Sequence, residues 1–361
     1  MRRASRNLAI VLVGLAVGLL AAASPASAAI KAKSVISGLS TPTAFTFGPG
    51  NEIWYVEKDN GQIRTNDLDT HSDSLFATVA GVDSSGERGM LGIALDPKYP
   101  SRPFVYVYAT RTAAGHLRNE ILRYRDNSGT GTNRTVIWSS RASSSPYHNG
   151  GHIAFGPDGK LYAVVGDAHR SANAQDRTHN DRGKVLRMTR TGRAPANNPF
   201  GNRIFSYGLR NSFGFAFDPR TGRLWESENG PECNDELNRI RVGRNYGWGP
   251  NETCSGASPR NTNQDGPKPV LPKLWYTPTI APTGVAFCQG CRLGRKSRSR
   301  LFFGAFNTGQ IRRVTLNAKR LDVRGQHVVY THASGILSME RAPRGRIYFS
   351  DDSAIYRLVR S

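Results

Sequence analysis

Ile153-Ala154-Phe155-Gly156-Pro157-Asp158-Gly159-Lys160-Leu161-Tyr162-Ala163-Val164-Val165 reads as two short apolar strands joined by a tight turn. Pro presets the turn backbone, Asp bonds the chain two residues on, and Gly accepts a positive φ. A third strand follows at Lys184-Val185-Leu186-Arg187. The same pattern recurs upstream at Ala44 to Phe47, Ile53 to Val56 and Gln62-Ile63-Arg64, and again at Ile93 to Leu95, Phe104 to Tyr108 and Ile121 to Tyr124. Downstream it returns at Phe215 to Phe217, Leu224-Trp225 and Leu237 to Ile240, then at Val285 to Phe287, Leu301 to Phe303 and Gln310 to Val314. The final copy is Ile336 to Met339, Ile347 to Phe349 and Ile355 to Leu358. One such meander cannot bury both faces, whereas six stacked radially can, so the repeats predict an all-β, six-bladed β-propeller. Lys33 to Leu39 precedes the first copy and is expected to add an outer strand to the last blade, closing the ring.

The chain of 361 residues carries 49 Lys plus Arg against 27 Asp plus Glu, with 38% hydrophobic residues. That content excludes a coiled coil and general disorder. Arg2, Arg3 and Arg6 precede an apolar run from Leu8 to Ala23, and Ala26-Ser27-Ala28 suits a leader peptidase. Residues 1–28 are therefore expected to be a secretory signal peptide and 29–361 a single propeller domain in a secreted or extracytoplasmic protein. The run is short for a membrane anchor, and no later segment is apolar enough to span a bilayer. Arg2-Arg3 leaves the general or the twin-arginine export route open.

An even set of cysteines in an oxidising compartment favours disulfides, here Cys233–Cys254 and Cys288–Cys291. A four-cysteine zinc site is the rival, and the first pair lacks its short spacing. The basic residues are scattered as single arginines apart from a run between Arg292 and Arg300, which reads as solvated surface. No nucleic-acid partner is expected; association with an anionic cell-wall polymer is the partner that the charge allows.

Three loops are richer in Asn, His and Gly than turns require. Tyr147-His148-Asn149-Gly150-Gly151-His152 offers an imidazole that is either a general base or a group satisfying backbone, and Gly166-Asp167 offers a carboxylate to orient it. Tyr207-Gly208-Leu209-Arg210-Asn211-Ser212 offers a guanidinium fork for a carboxylate or oxyanion, or for a structural ion pair. Glu228-Asn229-Gly230-Pro231-Glu232-Cys233-Asn234-Asp235-Glu236, with Asn245-Tyr246-Gly247-Trp248, offers carbonyl and carboxylate oxygens of the kind calcium takes.

Together with Glu87-Arg88-Gly89-Met90-Leu91-Gly92-Ile93 and Gly183-Lys184-Val185-Leu186-Arg187, these loops resemble the soluble quinoprotein glucose/sorbosone dehydrogenases across the whole mature chain. That family consists of exported six-bladed propellers holding pyrroloquinoline quinone (PQQ) and calcium. The resemblance implies that His148 removes a proton from the C1 hydroxyl of an aldose, that Asp167 orients it, and that the sugar becomes a lactone as electrons pass to an external acceptor. Arg210 and Asn211 would contact the quinone, with Glu87 and Asn307 at further cofactor positions. Carbonyls of Gly230 and Pro231 would hold one calcium, and Glu236 with the Tyr246 carbonyl a second. The family meets the carboxylates of PQQ with a Lys in the fifth blade and an Arg pair entering the sixth; the matching positions here are Asn307, Gly335 and Leu337. Arg88 or Arg341 could restore the missing charge. Two other outcomes fit the same loops: a calcium-stabilised propeller that binds saccharide or wall polymer without the quinone, and a calcium-dependent lactone hydrolase.

Overall fold

The computed structural model describes residues 29–256 and 258–361, so the expected leader over 1–28 lies outside the described residues. Six four-stranded antiparallel sheets follow one another along the chain, spanning 44–78, 90–141, 153–207, 212–276, 282–331 and 338–360. They are the blades of a six-bladed propeller, and the inner strands of neighbouring blades pack against each other around the ring. The ring closes where Ile30–Ser37 pairs antiparallel with Ala354–Arg360, Ile30 lying opposite Arg360. This outer strand begins three residues before the Lys33 expected from the sequence, because Ile30 and Ala32 pack onto the core of the last blade.

The opening hairpin shows how each blade is fixed. Gly156 N–H donates to the Lys160 carbonyl across the turn at 2.9 Å. The Asp158 carboxylate accepts from Lys160 N–H at 3.1 Å and from Arg187 Nε at 2.8 Å, tying the turn to the third strand. Arginines on other third strands tie neighbouring strands together: Arg64 pairs with Asp73 of the fourth strand at 2.5 Å, and Arg123 lies 4.8 Å over the ring of Phe104 on the second. The middle strands are buried on both faces, as in Leu161–Val165. Both expected disulfides form, Cys233–Cys254 and Cys288–Cys291.

Antiparallel alternation sorts the loops onto two rims. Those entering each inner strand, and those joining the second strand to the third, share one rim; the first turn of each blade lies on the other. The loops at 147–152, 166–167, 207–212 and 228–236 fall on the first rim, referred to below as the upper rim; Asn245 to Trp248 lies in the connection from the third to the fourth strand of the fourth blade and climbs to that rim beside Tyr207, which bridges Asn245 in parallel.

Candidate functional site

His148 enters the third blade with φ 60, a left-handed conformation costing about 1–3 kcal/mol for a residue with a side chain. The surroundings fix it there. Its N–H donates to Glu87 Oε2 at 2.7 Å, and its carbonyl accepts from Ala168 N–H at 3.2 Å. Gly150 and Gly151 follow at φ 67 and 126, and a Cβ at Gly151 would lie 2.2 Å from Leu91 Cβ. The glycine pair thus lets the loop press against the second blade, with the imidazole buried at 6% exposure.

The ring Nδ1 lies 2.7 Å from Asp167 Oδ1. That same oxygen accepts from His169 N–H at 2.7 Å, and Oδ2 accepts from Trp248 Nε1–H at 2.8 Å. A carboxylate so arranged is acceptor only, so Nδ1 carries the hydrogen and Nε2 is left with its lone pair. Nε2 has no hydrogen-bond partner among the described residues. The His169 ring braces the imidazole edge-on at 4.8 Å.

Arg210 adjoins this pair: its carbonyl accepts from Asp167 N–H at 2.7 Å. Its guanidinium lies 5.4 Å over the Trp248 ring and donates to the Asn229 carbonyl at 2.9 Å, while its own N–H donates to Glu228 Oε1. Burial lowers the guanidinium pKa, opposed by Asp167, Glu228, Glu87 and Asp235. Asn211 Nδ2 donates to both Glu87 oxygens, at 3.3 and 3.1 Å, and its Oδ1 is buried with no partner. Glu87 therefore spends its carboxylate joining the His148 backbone to Asn211.

Beyond Arg210, the turn at 229–235 is stiffened by Gly230 N–H donating to Asp235 Oδ1 at 2.8 Å and by the Cys233–Cys254 bridge. Asp235 Oδ2 accepts from Ile280 and Ala281 N–H at 2.6 and 2.7 Å. The carbonyls of Gly230 and Pro231 receive no hydrogen bond from the described residues. Asn229 Oδ1 nearby is likewise buried and unpartnered. Free oxygens on a rigid turn are the donor chemistry a hard cation needs.

Behind this turn, Glu236 lies opposite Glu228, and Glu226 lies opposite Asn238, so all four side chains share one face of the fourth blade. Asn238 Nδ2 bridges Glu228 and Glu236 at 3.2 and 2.9 Å, and Asn263 Nδ2 donates to Glu236 at 2.5 Å. Burial, then mutual repulsion, pushes the Glu228 carboxyl well up. Burial first, then the neighbouring carboxylates, raises Glu226 and Glu236 to about 8. The Tyr246 carbonyl accepts no hydrogen bond from the described residues, while the Tyr246 hydroxyl donates to the Arg239 carbonyl at 2.7 Å.

The three positions matching the family's cations remain uncharged in their surroundings. Asn307 is exposed on the upper rim. At Gly335 the space a side chain would fill is taken by the Phe306 ring, 2.5 Å from an ideal Cβ. Leu337 joins Leu91, Phe213 and His152 around the channel, where the free volume is about 10 Å³, room for one water at most. Neither arginine restores the charge: Arg88 donates to the carbonyls of Ser143, Ser144 and Ser145 at 2.6, 3.0 and 3.1 Å, and Arg341 is exposed at the lower end of its strand.

His169 is a contributor that the sequence did not single out, and Glu228 stood in a recognised loop without its role of accepting from Arg210 N–H. Trp248 stood within a recognised loop, but only the fold shows its indole N–H aimed at Asp167.

The family model for glucose/sorbosone dehydrogenase matches residues 39–360. Quinoprotein glucose dehydrogenase B of Acinetobacter calcoaceticus is 34% identical over 248 residues, 60% of this chain and 52% of that protein, so the match spans about half of its length. The aldose sugar dehydrogenase YliI of Escherichia coli is 26% identical over 93% of both chains. The PQQ-bound aldose sugar dehydrogenase of Streptomyces coelicolor superposes with a TM-score of 0.78 at 28% identity, covering 94% of this chain and all of that one. The same ring, the same loops and a match over nearly the whole described chain lead to one conclusion: this protein belongs to the glucose/sorbosone dehydrogenase family.

Proposed function

We propose that this chain is an exported sugar dehydrogenase that uses PQQ and calcium to oxidise an aldose at C1 to its lactone, yielding the electrons to an external acceptor. One observation carries the reading. His148 Nε2 is free, its Nδ1 is held 2.7 Å from Asp167, and the guanidinium of Arg210 and the unbonded carbonyls of Gly230 and Pro231 are gathered on the same rim.

In this reading His148 Nε2 receives the proton of the C1 hydroxyl. The imidazolium that forms faces the Asp167 carboxylate, which Trp248 and His169 keep from turning away. Arg210 and Asn211 are the residues that would hold the quinone, and Gly230 and Pro231 those that would hold its calcium. When bound, PQQ with calcium supplies the two-electron sink that the side chains lack.

The fit is tighter on the base and metal side than on the side where the PQQ carboxylates would lie, since Asn307, Gly335 and Leu337 carry no charge. That observation favours a second reading, a calcium-stabilised propeller that binds saccharide without the quinone. Purified protein supplied with PQQ and calcium, assayed for dye reduction across an aldose panel, separates the two. Sugar-dependent reduction is expected; its absence together with no PQQ binding by calorimetry would overturn the first reading, and saccharide binding in the same calorimeter would support the second.

A further inference from the structure

On the lower rim, opposite the site, the sixth blade meets the first. Arg346 and Tyr348 alternate onto one face of the strand Ile347–Ser350 and the turn before it. Tyr348 lies directly opposite Arg357, and Arg357 opposite Lys33 of the closing strand. This face abuts the first blade, with the Tyr348 and Phe47 rings edge to face at 5.0 Å. Between the blades opens a cavity of about 230 Å³, and four arginines line it: Arg292, Arg344, Arg346 and Arg357. An adjoining cavity of about 240 Å³ shares Arg357 and adds Lys33.

None of the four arginines has an ion pair or a side-chain hydrogen bond among the described residues, and Arg357 Nε is buried without a partner. The buried Arg187 and Arg320, by contrast, pair with Asp158 and Asp218. The carboxylates beside the cleft's lining residues are engaged by other donors: Asp69 accepts from Asn51 Nδ2 at 2.8 Å and Glu52 from Trp54 Nε1 at 2.5 Å. Four like charges around one cleft repel each other and weaken the fold, unless an anion lies between them. Guanidinium forks match the oxygens of a phosphoryl group in pairs, and the Phe47 and Tyr348 rings give an attached carbon skeleton an apolar wall.

We propose that this cleft between the first and last blades is a binding site for a phosphoryl group. The group is carried by a small soluble phosphate or by a polyol-phosphate polymer, and it sits on the rim away from the sugar site. Isothermal titration of the full chain at low ionic strength, with inorganic pyrophosphate and separately with poly(glycerol phosphate), tests this. Saturable 1:1 binding of pyrophosphate that weakens as salt rises is expected. The double variant Arg344→Ala/Arg346→Ala should lose about tenfold or more in affinity. The charge-matched control Arg125→Ala/Arg260→Ala, at two exposed positions elsewhere, should bind as the parent does. Tighter binding of the polymer than of pyrophosphate assigns the polymeric source, and the reverse order assigns the soluble one. No binding of either, or an equal loss in the control, overturns the proposal. Thermal melting guards against misfolding: removing mutually repelling charges should leave Tm unchanged or raised, and pyrophosphate should raise Tm in the parent but not in the variant. Neither readout involves sugar turnover, so it stands apart from the dehydrogenase reading.

Discussion

Replacing Asp167 by Asn keeps the shape of the side chain and removes its charge. Two carboxylate oxygens now accept three N–H groups, from His148, His169 and Trp248. An amide has one oxygen to offer. If that oxygen takes the Oδ1 position, the NH2 meets the Trp248 indole N–H, donor against donor. If it takes the Oδ2 position, the NH2 faces His169 N–H and His148 Nδ1, and the imidazole proton is driven to Nε2, where the base needs a lone pair. Losing one hydrogen bond to a charged group is worth about 1.5–3 kcal/mol, or about 10–150-fold. The tautomer shift extends the loss toward about 10⁴, the scale known for this change in a serine-protease triad. We expect kcat of the protein supplied with PQQ and calcium to fall by about 10²–10⁴ at pH 7 with a smaller change in KM, measured by sugar-dependent dye reduction. A thermal melt of the same sample controls for folding. A folded Asp167→Asn protein retaining kcat within a factor of about three would refute the assignment of His148 as base and Asp167 as its orienting partner.

Three further expectations follow from the geometry. Asn307→Lys places an ammonium at the exposed rim position where the family carries one, and should tighten PQQ binding by about tenfold or more in a calorimetric titration; unchanged affinity would mean that the cofactor's carboxylates lie elsewhere. Removing the Cys233–Cys254 bridge, with a sequence separation of 21, should cost about 3 kcal/mol in chemical denaturation and weaken calcium binding, because the bridge stiffens the turn bearing the Gly230 and Pro231 carbonyls. Glu340, at the lower mouth of the channel 3.8 Å from His152, has its carboxyl raised by burial from 4.5 to about 8. Between those two pH values only the folded chain keeps the proton, so stability should fall as pH rises across the window. Its side chain keeps 27% exposure, which makes about 5 kcal/mol an upper bound. Glu340→Gln should flatten this part of the pH profile, and an unaltered slope would show that Glu340 is not its source.

The blades were legible because each hairpin combines period-2 apolar runs with a Pro-Asp-Gly or similar turn, both local signals. Apart from the closing strand of the last blade, the outer strands were not. In Val323–Thr331 every residue is partly or fully exposed, so no buried face writes an alternation into the sequence. The site was legible where its parts lie in one loop, as at His148 and Gly150-Gly151. It was not where the contact crosses blades: Trp248 reaches Asp167 over 81 positions and Asn211 reaches Glu87 over 124. Arg88 illustrates the same limit. Its type and neighbourhood suited a cofactor carboxylate, yet three consecutive carbonyls from Ser143 to Ser145 accept its hydrogen bonds instead. The arginines at 292, 344, 346 and 357 read as surface charge, and only the packing of the fifth and sixth blades against the first brings them to one cleft.

The most direct test of the central claim is the oxidation rate of an aldose carrying deuterium at C1, measured beside the protiated sugar for the parent protein and for His148→Gln, both supplied with PQQ and calcium. The account predicts a primary isotope effect in the parent and a loss of about 10³ or more in the variant. Equal rates in the two proteins, or turnover that never depends on the C1 hydrogen, would contradict it.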